Sequence, residues 1–147
     1  MADIARTPTE LMETYLTEVG LKGRLELIPV LAHEDMLDEA NAAFDGPPGR
    51  DGLVAHVKGF RKNVTDLSMT IDKIVSGEDQ VMAQWSFTGR HTGPWMGRTP
   101  TGREFTGTVF SFFDLRDGRI SRYRLWLCAK MDETVVFDSS KASGGPR

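Results

Sequence analysis

The stretch that most restricts the possible folds of this chain runs from Val81 to Cys128. It opens with a β-rich run over 81–88, breaks at Gly89, resumes over 105–115, and returns at once over 119–128 after Asp117-Gly118. Asp-Gly between two such runs is a strong hairpin signal, because both residues tolerate positive φ. The longer connection holds Gly89, Gly93, Pro94, Gly97, Pro100 and Gly102, and is a turn-dense loop. Three long antiparallel strands are therefore expected as the spine of one sheet. In the middle strand Val109, Ser111 and Phe113 point one way while Phe110 and Phe112 point the other, so both faces carry large apolar groups. A sheet wetted on one side alternates apolar with polar residues. Helices can cover one face, and a second copy of the chain is the expected cover for the other.

Upstream, Thr7-Pro8-Thr9-Glu10 has the pattern of a capped helix start, followed by Leu11, Tyr15 and Leu16 at helical spacing and Gly20 as the expected stop. A second helix is expected over 21–31 despite Pro29, then an irregular or strand-like segment from His33 to Asp38. Asp51 is the expected cap of a third helix, with Leu53, Val54, Val57 and Phe60 as its buried stripe and His56 facing solvent. Leu67, Met69 and Ile71 alternate with polar residues, which marks a strand. Helices segregated from a run of antiparallel strands indicate an α+β domain. Wrapped around its helices, the curved sheet makes a cone-shaped α+β barrel whose open mouth suits a small molecule. The chain of 147 residues is expected to form one domain over 1–138, with a flexible polar tail over 139–147.

A net charge of −3 with no basic cluster argues against nucleic acid as a partner. One cysteine, Cys128, excludes an intramolecular disulfide and a cysteine metal cage. No signal-like or membrane-spanning apolar run is present, so a cytoplasmic protein is expected.

The segments Gly89-Arg90-His91-Thr92-Gly93, Thr99-Pro100-Thr101-Gly102-Arg103 and Asp117-Gly118-Arg119-Ile120 resemble, in order and spacing, the SnoaL-like polyketide cyclase family. Gly49 to Phe60 and Asp66-Leu67 match the third helix and following strand of that family. The resemblance covers roughly residues 8 to 135 and implies the cone fold. It also implies a catalytic aspartate on the last strand and a histidine across from it. Their places here are taken by Leu125 and Ser111. Leucine can neither accept a proton nor hold a charge, so the usual aldol mechanism loses its proton-moving pair. The resemblance is nearest to the anthracycline hydroxylase members of the family.

Alternation on the last strand places Ser121, Tyr123, Leu125 and Leu127 on the pocket face, opposite Gly107, Val109, Ser111 and Phe113. The expected catalytic set is Asp38, as a carboxyl acid with a pKa raised by burial, with Tyr123 and Ser111 as hydrogen-bond donors. Substrate is expected to meet Tyr15, His33, Met36, Val109, Phe113 and Leu125, with Trp95 and Met96 as a lid. Neither His33, His56 nor His91 has a ligand-spaced neighbour and no dinucleotide-binding turn occurs, so neither metal nor cofactor is expected. Three functions follow. The first is hydroxylation of an aromatic polyketide, either without cofactor or with a separate reductase that supplies reduced substrate. The second is ring closure or isomerisation by acid–base catalysis, and the third is ligand binding without turnover. A homodimer through the outer face, carrying Phe110, Phe112, Trp126 and Cys128, is expected in each case.

Overall fold

The computed structural model describes residues 7–142. Thr7 caps α1 (Pro8–Thr14) through a reciprocal box: its Oγ1 accepts from the Glu10 amide at 3.1 Å, and the Glu10 carboxylate accepts from the Thr7 amide at 3.0 Å. The helix does not stop at Gly20. It widens into a π-helical turn over Tyr15–Leu21, with the Lys22 amide reaching the Thr17 carbonyl at 3.1 Å. Arg61 donates to the carbonyls of Gly20 and Leu21 at the end of that turn. Such turns recur where a helix must aim a functional side chain, and Tyr15 opens this one.

The helix expected over 21–31 is shorter than the sequence suggests. A 3₁₀ turn (Leu25–Leu27) leads into α2 (Ile28–Leu31), where Pro29 sits in the first turn and its missing N–H costs no helical bond. Then come β1 (Ala32–Asp38), the short α3 (Glu39–Ala43) and α4 (Arg50–Asn63). Gly49, not Asp51, caps α4: its φ is 68°, and a Cβ there would lie 2.6 Å from the Glu34 carbonyl oxygen. Only glycine fits such a position.

Four long strands follow: β2 (Val64–Ser76), β3 (Gln80–His91), β4 (Glu104–Arg116) and β5 (Arg119–Lys130), with β6 (Thr134–Asp138) returning along β5. The sheet order is β1-β5-β4-β3-β2 with β6 also on β5, and every pairing except the parallel β1–β5 contact is antiparallel. This is the expected α+β architecture, a curved and unclosed six-stranded sheet around helices. The β4–β5 turn has positive φ at both Asp117 (52°) and Gly118 (77°), as its sequence predicts.

A register shift after Asp114 corrects one expected orientation. Ile120, buried, takes the inward place and Ser121 turns away, its hydroxyl donating to the Asp114 carbonyl at 3.1 Å. Beyond the shift, Tyr123, Leu125 and Leu127 point inward as alternation requires.

The core lies between the concave face and α1, the π turn and α4, with Leu11, Leu16, Ile28, Leu53 and Phe113 almost wholly buried. Outside, Phe110 is 37 % exposed, and the Arg124 guanidinium lies 4.3 Å from the centre of the Phe112 ring. The edge of β5 is divided: residues up to Tyr123 pair with β1 and those from Trp126 onward pair with β6. The Leu125 amide, at the division, donates to Ser139 Oγ at 2.9 Å. Ser139 is buried in the short α5 (Ser139–Ala142) and donates to Glu39 Oε1 at 3.1 Å, so the polar tail expected from residue 139 begins inside the fold. Residues 143–147 lie outside the described ones.

Candidate active site

The last residue of β1 is Asp38, which also caps α3. Its Oδ1 accepts from the amides of Ala40 (3.1 Å) and Asn41 (3.2 Å), and its Oδ2 lies 2.7 Å from Nδ1 of His56. The carboxylate is 1 % exposed, and three donors occupy it. It stands behind His56 and does not face a ligand directly.

His56, expected in solvent, is a wall of the main cavity. It sits three residues after Leu53 and four before Phe60, so one helical face holds all three. Its ring stacks on that of Tyr123 at 5.7 Å and 16°, and the side chain is 25 % exposed, into the cavity. Nδ1 is taken by Asp38, which leaves Nε2 for the cavity contents. Burial pushes the imidazole pKa down, but the charge of Asp38 and the hydrogen bond to it outweigh burial and hold it above 6.5.

Beside this pair runs a buried polar chain. Trp85 Nε1–H donates to Ser111 Oγ at 3.0 Å, and Ser111 Oγ lies 2.9 Å from the Tyr123 hydroxyl. The Tyr15 ring stands edge-on to that of Tyr123, with centroids 5.7 Å apart. Burial raises the pKa of both phenols, with the Asp38 charge adding in the same direction, so both remain protonated donors.

The cavity holds about 390 Å³, space for a flat multi-ring ligand. Of the residues predicted to act, Tyr15, Tyr123, Val109, Leu125, Trp95 and Met96 line it. Asp38 and Ser111 reach it only through His56 and Tyr123. Met36 and Phe113 belong to the packed core, not to the wall. His33 lies away from the cavity: its Nε2 is 2.5 Å from the Arg116 carbonyl oxygen, tying β1 to the β4–β5 turn. Phe44, Phe60, Trp85, Phe87 and Phe137 complete an aromatic lining that the sequence reading did not assign.

Trp95 and Met96 sit on a two-residue turn closed by Trp95–Arg98 backbone bonds of 3.2 and 2.9 Å, with positive φ at Met96 and Gly97. The Trp95 ring packs 5.3 Å from Phe105, 5.9 Å from Phe60 and 6.1 Å from Phe87. Ion pairs Arg98–Glu133 and Arg103–Asp132 fasten this connection to the β5–β6 turn. Among the described residues no cluster of three or more metal-ligating side chains occurs, and no helix is long and apolar enough to cross a membrane.

The model of one protein family, described as SnoaL-like polyketide cyclase, matches residues 10–127. Aklanonic acid methyl ester cyclase AcmA of Streptomyces galilaeus is 25 % identical over 117 residues, covering 79 % of this chain and 78 % of the relative. Among solved structures, TsrD from Streptomyces laurentii is 26 % identical with a TM-score of 0.71, covering 81 % of this chain and 86 % of that one. IdmH from Streptomyces antibioticus is 26 % identical with a TM-score of 0.65, covering 85 % and 93 %.

Proposed function

The chain belongs to the SnoaL-like polyketide cyclase family, and from that premise we propose that it closes or isomerises a ring of an aromatic polyketide by acid–base catalysis at His56. The observation that carries this reading is the 2.7 Å bond between His56 Nδ1 and the enclosed carboxylate of Asp38, with the other face of the imidazole open to the cavity. The hydroxylation expected from the sequence rested on the loss of a proton-moving pair at Leu125 and Ser111. Both residues do point inward, and His56 with Asp38 offers a different pair in the same cleft.

In this reading Nε2 of His56 takes a proton from a carbon flanked by carbonyl groups. The enolate carbon attacks a ketone within the same molecule, one carbon–carbon bond forms, and the imidazolium returns the proton to the new alkoxide. Nothing is oxidised or reduced, so the product has the mass of the substrate. Asp38 selects the tautomer and steadies the imidazolium. The aromatic walls hold the rings flat and bring the two carbons together.

The substrate named for AcmA, aklanonic acid methyl ester, is the probe of choice. Incubated with the protein without oxygen, it is expected to give a ring-closed isomer. His56→Gln should lower kcat by about 10²–10⁴, the usual worth of a positioned base. An oxygen-dependent gain in mass, a need for a reductase, or tight binding with no conversion would overturn the reading. The outer sheet face, with Phe110, Phe112 and Trp126, supports a homodimer, and gel filtration should give twice the mass of 16.4 kDa. Elution as a monomer would refute that assembly.

A further inference from the structure

We propose that the buried chain Trp85–Ser111–Tyr123 is a one-way hydrogen-bond relay that presents the phenolic O–H of Tyr123 to an anionic ligand oxygen, and that Trp85 sets its direction. This inference rests on the acid–base reading of the site only for its kinetic test; its binding test stands alone.

Direction follows from what each group can do. An indole N–H donates and never accepts. The Ser111 oxygen, 3.0 Å away, must therefore accept from Trp85. With that lone pair used, the serine proton is best placed toward its other neighbour, the Tyr123 oxygen at 2.9 Å. Tyr123 then accepts from serine and is free to donate. Its outlet is the cavity, which it lines together with Tyr15. Ser111 is wholly buried, and Trp85 is 7 % exposed, so no solvent competes for these bonds. The sequence of acceptors and donors thus runs from the sheet interior outward, each bond polarising the next.

Tyr123 is fixed as well as polarised, with Tyr15 packed beside it. Tyr15 meets the Phe113 ring edge-on at 5.2 Å and Tyr123 at 5.7 Å, while Tyr123 meets Phe113 at 5.0 Å. A donor already aimed loses nothing to reorientation when charge develops on the ligand, the condition for effective oxyanion binding. The ligand chemistry implied is a planar aromatic or enolic compound that is bound through an oxygen carrying negative charge. Ser111 and Trp85 act through Tyr123 and are positioning residues.

The variants are Trp85→Phe, which removes the N–H and keeps a ring against Phe60 and Phe87, Ser111→Ala and Tyr123→Phe. The binding probe is 4-nitrophenol, whose absorbance separates phenol from phenolate. The wild-type protein is expected to bind it as the phenolate, and each variant should weaken phenolate binding about tenfold, well beyond any change in its binding of neutral toluene. Circular dichroism melts identify a variant that fails to fold, and the other two then carry the test. In turnover, Trp85→Phe should lower kcat with little change in KM, and adding it to Tyr123→Phe should cost nothing further, because the two act on one donor. Binding of the probe only as neutral phenol, no binding at all, or equal effects of the variants on phenolate and toluene would overturn the relay. His56→Gln separates the two ideas: loss of turnover with phenolate binding intact supports both. If the wild-type protein binds phenolate but leaves the polyketide ester unconverted, the acid–base reading falls and the relay stands.

Discussion

At the scale of single residues, the deciding feature is that Asp38 serves two partners at once, α3 through Oδ1 and His56 through Oδ2. Asp38→Asn isolates the second role, because asparagine is as good a helix cap as aspartate. With the carboxylate in place, the imidazole pKa lies above 6.5. As a base His56 acts when unprotonated, so kcat/KM should rise with pH through that value. In Asp38→Asn the burial that lowers the pKa is left unopposed, and the inflection should move below 6.5. The plateau rate should also fall on the order of 10²-fold or more, since the amide no longer selects the productive tautomer. A pH–rate profile checks both effects; an unmoved inflection would sink the pairing. The sequence already contained this pair in part. Asp38 is legible because the run from His33 to Asp38 resembles a family segment whose last position meets substrate, and because alternation puts it on the face of Met36. His56 is expected on the face away from Leu53 and Val57, yet it stands three residues after Leu53 and four before Phe60, both members of the buried stripe. Asp38 and His56 are eighteen residues apart, and only the packing of α4 on β1 brings them together.

At the scale of elements, periodicity was informative wherever one face meets the core. The four long strands, the type of the β4–β5 turn and the box that starts α1 all follow from local chemistry. What local chemistry does not encode is a register shift. Strict alternation puts Ser121 inward, and the shift after Asp114 turns it out and puts Ile120 in its place. The first helix also runs on past Gly20, because the carbonyls of Gly20 and Leu21 are satisfied by Arg61, which lies 41 and 40 residues further along. The turn-dense connection after β3 seats Trp95 among Phe60, Phe87 and Phe105. Trp95→Ala removes those ring contacts and opens the cavity wall. It should raise KM roughly tenfold, the effect of losing about 1–2 kcal/mol of aromatic contact, with kcat much less affected. Steady-state kinetics on the polyketide ester checks this, and a change confined to kcat would show that the loop does not hold substrate.

At the scale of the whole molecule, the site and the stability of the fold are linked through His56. Its pKa in the folded protein is raised, so the stabilisation it contributes is present below 6.5 and is lost as pH rises through the folded value. The urea midpoint of the wild-type protein should therefore exceed that of His56→Gln by most near about pH 5.5, with the gap closing toward about pH 9. A gap that widens with pH would mean that the histidine is not held charged by Asp38. The cone itself was readable from the order of helices and strands. The cavity lining was not, because it is assembled from the π turn, α3, α4, the loop after β3 and five strands that supply between one and three side chains each.

One detail of the sheet reaches beyond catalysis. The edge of β5 changes partner between Tyr123 and Trp126, and the amide left at the change is met by Ser139, itself anchored on Glu39, the residue next to Asp38. The carboxyl-terminal turn is thus a plug in the barrel wall, seated one residue from the histidine's partner. Trimming the chain after Asp138, or burdening α5 with a fused tag, would unseat that plug and let water in at Leu125. An amino-terminal fusion enters at Thr7, ahead of a helix that packs on β2 and β3, and leaves it in place.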